Sequence, residues 1–135
     1  LMDKENPKKL PKYINTGDTA VYKKGEHLFA YFESARQAAA VRTMNLVEGN
    51  PDAIRMHQIG VDNTVAPLGT PKQIELIKKV ADTVIIIGDM DDAGQKAVVK
   101  NAETMLRAGL AVRVMEIKDN YKDPDDYFRQ YESVD

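Results

Sequence analysis

Apolar residues along the chain follow two periods, one typical of helices and one typical of strands. The β-branched run Thr83–Ile87 indicates a central strand buried on both faces. From residue 92 to 108 the apolar residues are spaced by three and four, as on one face of a helix, and Gly109 follows as a C-cap. In chain order, these periods predict a helix at 27–41, strand 43–47, helix 51–59, strand 63–66, helix 71–80, strand 83–87, helix 92–108, strand 111–117 and helix 124–131.

The alternation of strands and helices after residue 42 predicts the fold class. It favours an α/β fold in which a parallel sheet of about four strands is joined by right-handed crossovers and flanked by helices. Before residue 42 the chain is more polar and is punctuated by Pro7, Pro11 and Gly17. We therefore predict a lead-in subdomain at residues 1–42 and a catalytic domain at residues 43–135.

Composition narrows the classes of function. The 135 residues, 43% of them hydrophobic and 30% charged, fit one globular domain. The net charge of −2 argues against coating nucleic acid by bulk electrostatics. It is unevenly spread, with eight Lys/Arg against five Asp/Glu up to residue 42 and eleven against sixteen afterwards. Because the chain has no cysteine, it has no disulfide, no Cys-ligated zinc and no Cys nucleophile.

The hydropathy pattern bears on location. No apolar stretch approaches the ~20 residues of a bilayer span, and the lysine-rich start is too polar for a signal peptide. These features predict a cytoplasmic protein with no membrane partner. The start at Leu1-Met2 is expected of a fragment, so further domains are expected in the natural protein.

Acidic side chains follow three of the predicted strands. Ligands of parallel α/β sheets bind beyond the carboxyl ends of the strands, so these positions decide the chemistry of the domain. We expect the carboxylates to meet at one edge of the sheet. They are Glu48 with Asp52 close behind, then Asp89 and Asp91, and then Asp119, Asp123, Asp125 and Asp126 in the loop after the last strand.

Several carboxylates within ~5 Å of one another repel strongly unless protons or cations neutralise them. Oxygen-only ligands favour Mg²⁺ or Mn²⁺, and Asp89 and Asp91 are spaced to bind one ion or to bridge two, as phosphoryl-transfer sites do. Gly88 and Gly94 are expected to allow close backbone approach beside them. The pattern therefore predicts a site for two or more divalent cations.

Other interpretations of these residues remain open. Asp91 or Asp92 at the head of the long helix is also typical of an N-cap, and Asp125 and Asp126 of a helix's first turn. Glu48, at the end of a buried strand and followed by Gly49, has no capping task. The two histidines, His27 and His57, have no partner ligands at a recognisable spacing and are predicted to be surface or packing residues.

The motifs resemble a known family. The TOPRIM signature of primases and topoisomerases is matched by Val47-Glu48-Gly49 with Asp52, by Leu68-Gly69-Thr70 and by the run from Asp89 to Gly94. Within it, the chain is similar to bacterial DnaG-type primases over residues 11 to 128. The further motifs that carry this similarity are Pro11-Lys12-Tyr13-Ile14-Asn15, Lys24-Gly25, the stretch 62–70 and Asp123-Pro124-Asp125-Asp126.

The resemblance implies a nucleotidyltransferase that synthesises RNA primers on single-stranded DNA from ribonucleoside triphosphates. It implies Glu48 as the catalytic residue, with Gly49, Asp52 and Gly94 in support. Lys24 and, more weakly, Lys12 match positions that contact template or nucleotide phosphates, although a solvated surface charge is an equal alternative. The metal ligands that it implies are Asp89, Asp91, Asp123 and Asp125.

Two departures from the family qualify the expected activity. Asn50 and Pro51 replace the usual aromatic and methionine, and Thr43 and Asn45 stand in strand one where aliphatic residues are usual, which indicates a divergent phage or mobile-element relative. The zinc-binding module and the region that binds the replicative helicase are not in this chain, so low activity is expected of it alone. The alternatives are a TOPRIM nuclease or maturase that hydrolyses phosphodiesters, and a catalytically silent metal- or nucleotide-binding module.

Overall fold

The computed structural model describes residues 26–66, 70–89 and 91–117. The predicted alternation of strands and helices is confirmed there, with most boundaries within two residues of those predicted. The elements are α1 (Tyr31–Val41), β1 (Thr43–Val47), α2 (Asn50–Gln58), β2 (Thr64–Val65), α3 (Pro71–Lys78), β3 (Thr83–Ile87), α4 (Asp92–Arg107) and β4 (Ala111–Met115). The helix predicted at 124–131 lies outside the described residues.

The four strands form one parallel sheet in the order β2-β1-β3-β4. β1 and β3 therefore occupy the interior, as the β-branched run of β3 predicted. Their register pairs Thr43 with Thr83 at one end and Val47 with Ile87 at the other. The α/β fold class is confirmed, and the carboxyl ends of β1 and β3 lie side by side.

Two apolar clusters cover the two faces of the sheet. Met44 and Leu46 of β1 belong to the larger cluster, together with residues of α1, α3 and α4, whereas Val47 belongs to the smaller one with Ala53 and Met56 of α2. Successive strand residues point to opposite faces, so α2 packs on one face and the other three helices pack on the opposite face. Met105 of α4 is fully buried.

Local capping explains where two helices begin. Thr70 and Gln73 form a capping box at the start of α3, in which each side chain accepts a hydrogen bond from the other residue's backbone N–H. Asp91 caps α4 in the same sense, since its Oδ1 accepts from the Gly94 N–H at 2.6 Å. At the far end of α4, Gly109 adopts φ of 93°, which confirms its predicted role in ending the helix.

The prediction for α1 is wrong at its start and in its buried face. The helix begins at Tyr31 rather than at residue 27, because Phe29 pairs its backbone with Ala66 in an antiparallel bridge. Phe32, predicted to face inward, is 89% exposed. The buried residues of α1 are instead Ser34 and Ala38.

A buried hydrogen-bond network accounts for that change of face. The Ser34 hydroxyl donates to the Thr64 carbonyl oxygen at 2.7 Å, and His57 Nε2 lies 3.0 Å from the same oxygen. His57 Nε2 also lies 3.2 Å from Ser34 Oγ. A buried polar group is favourable when it is paired in this way. The network joins α1, α2 and β2, and it confirms His57 as a packing residue.

Candidate metal and nucleotide site

The carboxyl ends of β1 and β3 place two acidic residues beside each other. β1 ends at Val47 and is followed by Glu48, while β3 ends at Ile87 and is followed by Gly88 and Asp89. Since Val47 and Ile87 are paired, the residues that follow them leave the sheet at one level. Glu48 is exposed, whereas Asp89 is half-buried with its Oδ1 shielded from solvent.

Two glycines bring α4 against this edge. A Cβ at Gly88 would lie 2.2 Å from Val98 Cγ2, and a Cβ at Gly94 would lie 2.4 Å from the Asp89 carbonyl oxygen. Neither distance is compatible with a side chain, so both positions require glycine for this packing. The close approach expected of these glycines is present, and it fixes the backbone of Asp89 against the first turn of α4.

Asp91 has a structural task at the same edge. Its Oδ1 is bound to the Gly94 N–H, so the capping alternative for this residue is realised. The residue is exposed, and a carboxylate offers two oxygens with about four acceptor positions. Capping therefore leaves one oxygen of Asp91 for a cation. We refer to Glu48, Asp89 and Asp91 together as the strand-end site.

Asp52 lies under the turn that follows β1. It is buried, at 8% exposure, in the first turn of α2. Its Oδ2 would lie 3.3 Å from a Cβ placed on Gly49. A carboxylate in the first turn also complements the helix dipole. Asp52 and Gly49 thus shape the turn that carries Glu48.

The described residues supply only part of the predicted ligand set. Within 26–66, 70–89 and 91–117, no three acidic or histidine side chains are grouped closely enough to hold a metal ion. The donors present at the strand-end site are all carboxylate oxygens, the ligand type that Mg²⁺ and Mn²⁺ prefer. The other predicted ligands, Asp123 and Asp125, lie outside the described residues, as do Lys12 and Lys24.

A cleft of about 210 Å³ opens next to Glu48, between the β1–β3 pair and α4. We call it the α4 cleft. Leu46, Ile86 and Val98 supply apolar walls, and Lys100 and Asn101 of α4 also line it. Sequence reasoning missed Lys100 and Asn101. The available signal was Asn101, a polar residue that follows Ala97 and Val98 on the inward face of the helix.

Comparison with known proteins identifies the family. A family model described as Toprim-like matches residues 45–128. The chain belongs to the Toprim-like family. A DNA primase of Aquifex aeolicus is 39% identical over 126 residues, which make up 91% of this chain and 25% of that protein. A DNA primase of Clostridium acetobutylicum is 37% identical over 123 residues, 89% of this chain and 20% of the relative.

Solved structures agree with this assignment to the Toprim-like family. The Aquifex aeolicus primase, with its zinc-binding and RNA polymerase domains, matches at a TM-score of 0.82 and 38% identity, over 93% of this chain and 32% of that one. The E. coli primase catalytic core matches at 0.75 and 32% identity, over 89% and 40%. A DnaG primase catalytic domain bound to ssDNA matches at 0.76 and 32% identity, over 92% and 41%. The resemblance to DnaG-type primases is therefore confirmed.

Two further facts delimit this Toprim-like chain. It spans between a fifth and a quarter of the length of the curated relatives quoted above. In the part of the chain that the structure describes, no helix has both the length and the apolar character needed to cross a membrane. The division into a lead-in at 1–42 and a catalytic domain at 43–135 stays a prediction.

Proposed function

We propose that this chain is the catalytic domain of a DNA primase, which joins ribonucleotides into RNA primers on single-stranded DNA during replication. The observation that carries the proposal is the parallel register of β1 and β3, which sets Glu48 and Asp89 at neighbouring strand ends. DNA primases among the relatives support it.

The proposed cofactor is a set of two or more Mg²⁺ or Mn²⁺ ions. When bound, such ions neutralise phosphate charge and lower the pKa of the attacking hydroxyl. Their proposed ligands are Asp89, Asp91, Asp123 and Asp125. The all-oxygen donors of the strand-end site fit these cations.

The protein's own residues have distinct proposed tasks. Glu48 is exposed at the end of a buried strand, so a substrate can reach its carboxylate, and we assign it the role of general base or metal ligand. Gly94 and the Asp91 cap hold the backbone of Asp89 in one position against α4. Gly49 and Asp52 support the Glu48 turn, and Lys12 and Lys24 are proposed phosphate contacts.

The partners are proposals that follow from the family. One solved relative is described as bound to ssDNA, and we propose the same template for this chain. Ribonucleoside triphosphates are the proposed substrates, and a replicative helicase is a proposed partner through regions outside this chain. Priming of bacterial DNA takes place in the cytoplasm, which is the proposed location. Because so little of each relative is covered, we propose low activity for the chain alone.

Primer synthesis tests the proposal directly. The full-length protein is incubated with single-stranded DNA, labelled ribonucleotides and Mg²⁺ or Mn²⁺, and the RNA products are separated by length. We expect Glu48→Gln and Asp89→Asn to reduce synthesis by at least about a hundredfold, as losses of charge-stabilising groups in active sites do. Glu103→Gln, on the exposed surface of α4, is the matched control and is expected to retain activity.

The same material distinguishes the hydrolytic alternative. A phosphodiesterase of this fold would use the metals to activate water, so it would degrade labelled DNA and make no primer. Primer synthesis by the wild type that Asp89→Asn leaves unchanged would contradict the proposed site. Degradation without synthesis would favour the nuclease interpretation.

A further inference from the structure

The α4 cleft has an apolar interior and a polar margin. Leu46 and Ile86 are almost fully buried in its walls, at 2% and 3% exposure, and Val98 adds an aliphatic surface. Glu48 of the strand-end site lines the same cleft. A ligand held in the cleft would therefore touch the strand-end site directly.

The size of the cleft limits what it can hold. Its volume of about 210 Å³ is below the ~300–1,000 Å³ typical of pockets that enclose a whole small molecule. It therefore suits one flat ring system rather than an entire nucleotide. An apolar wall with few polar groups is the usual environment for such a ring.

Two residues of α4 supply the polar groups. Asn101 is half-buried on the sheet-facing side of the helix, and its amide both donates and accepts hydrogen bonds. Lys100 lines the cleft and also the outer surface of α4, which it shares with Lys96. Lys100 therefore stands at the margin, where its aliphatic stem contacts the apolar wall and its ammonium group reaches solvent.

We propose that the α4 cleft binds the nucleobase of a nucleotide whose phosphates lie toward the strand-end site. Asn101 hydrogen-bonds the edge of the base, and Lys100 contributes positive charge near the phosphates. This inference rests on the proposed function for the identity of the ligand. The cleft and the metal site are nevertheless built from different residues, apart from Glu48, so they can be tested separately.

The first test uses adenosine alone, without metal. In ¹⁵N NMR spectra of the 135-residue chain, we expect saturable shifts of the backbone amides of Leu46, Gly88 and Asn101. Ala97→Met, which extends a side chain into the cleft, should abolish them. Ala93→Met is the control, because residue 93 is exposed on the same helix and does not line the cleft. Absence of shifts in the wild type, or their persistence in folded Ala97→Met, would overturn the proposal.

Should Ala97→Met fail to fold, Asn101→Leu provides a second variant. It keeps a side chain of similar size and removes the amide. We expect it to weaken adenosine binding about tenfold, the usual effect of leaving a hydrogen-bonding edge unpaired. Binding equal to that of the wild type in folded Asn101→Leu would overturn the role of Asn101.

The second test concerns Lys100. Lys100→Met should weaken binding of ATP with Mg²⁺ about tenfold while leaving adenosine binding unchanged, because only the triphosphate carries the negative charge. Lys96→Met, one helical turn earlier, is the control and should leave both unchanged. Equal ATP affinity in Lys100→Met and the wild type would contradict its role.

The two tests separate this inference from the proposed function. If adenosine binds in the cleft but Mn²⁺ does not bind the strand-end site, the cleft stands and the proposed metal chemistry falls. If Mn²⁺ binds there but adenosine shifts no cleft amide, the cleft proposal falls and the metal site stands.

Discussion

Gly94 lies so close to Asp89 that a Cβ on residue 94 would be 2.4 Å from the Asp89 carbonyl oxygen and 2.8 Å from the Asp89 Cβ. The first turn of α4 therefore sets the position of the acidic residue after β3. The Asp91 cap binds the N–H of the same glycine, so one turn of helix connects two members of the strand-end site.

Gly94→Ala is expected to damage metal binding without removing any ligand. The added methyl group must displace the Asp89 backbone, and displacement of groups that support ligands typically lowers metal affinity 10–100-fold. Overpacking of this kind also costs about 1–3 kcal/mol of folding free energy. Isothermal titration with Mn²⁺ and urea denaturation measure the two effects.

Gly60→Ala is the matched control for that variant. Gly60 has φ of 88°, so alanine is strained there, but nothing lies within 4 Å of the added Cβ. We expect a loss of about 1 kcal/mol of stability and no change in Mn²⁺ affinity. Equal loss of metal binding in both variants would show that general destabilisation is responsible.

Asp91 permits its capping role to be separated from a ligand role. Asparagine caps helices about as well as aspartate, so Asp91→Asn should keep the stability of the wild type and weaken Mn²⁺ binding. Asp91→Ala removes the cap as well, and we expect it to cost about 1 kcal/mol in addition. Thermal denaturation and metal titration of both variants measure this, and unchanged Mn²⁺ affinity in Asp91→Asn would restrict the residue to capping.

The Arg42–Asp82 pair predicts a pH dependence of stability. Arg42 donates from Nε and from a terminal guanidinium nitrogen to the Asp82 carboxylate at 3.0 and 2.6 Å. These hydrogen bonds, with the charge of Arg42, hold the pKa of Asp82 below its ordinary value of 3.8. The stabilisation is therefore present at neutral pH and is lost as the pH falls through the lowered pKa.

The corresponding experiment compares melting temperatures of the wild type and Asp82→Asn from pH 7 down to pH 2. Both partners are about half exposed, so we expect only a small advantage of the wild type at pH 7, reduced by salt. The difference should shrink below the ordinary carboxyl pKa. A difference that persists unchanged at pH 2 would contradict the assignment to this ion pair.

Two neighbouring residues of α4 test the packing of the larger apolar cluster. Met105 is fully buried, whereas Leu106 is 58% exposed. Met105→Ala should destabilise the fold by about 2–5 kcal/mol, and Leu106→Ala by no more than about 0.5 kcal/mol. Urea denaturation measures both, and equal effects would contradict the placement of α4 on the sheet.

The agreement between sequence and structure follows the strength of local signals. β3 and α4 were predictable because a β-branched run and a long apolar stripe each carry their own period. The start of α1 was not, because residues 27–30 are held extended by the backbone bridge from Phe29 to Ala66, a contact between distant parts of the chain. Its buried face was missed because Ser34 is buried through a hydrogen bond and not through hydrophobicity.

The candidate site was predictable to a similar extent. Glu48 and Asp89 follow strands that the sequence defines, and in a parallel sheet strand ends meet at one edge. The α4 cleft depends on the rotation of α4 against β1 and β3, which no local pattern specifies. Lys100 and Asn101 therefore became visible only with the helix in place.

The most direct test of the central claim is Mn²⁺ binding to the 135-residue chain, followed by paramagnetic broadening of its ¹⁵N amide signals. We predict that broadening is strongest at Glu48, Gly88, Asp89 and Asp91, and that Asp89→Asn greatly reduces it. Broadening centred elsewhere, or unchanged in Asp89→Asn, would contradict a catalytic metal site at the carboxyl ends of β1 and β3.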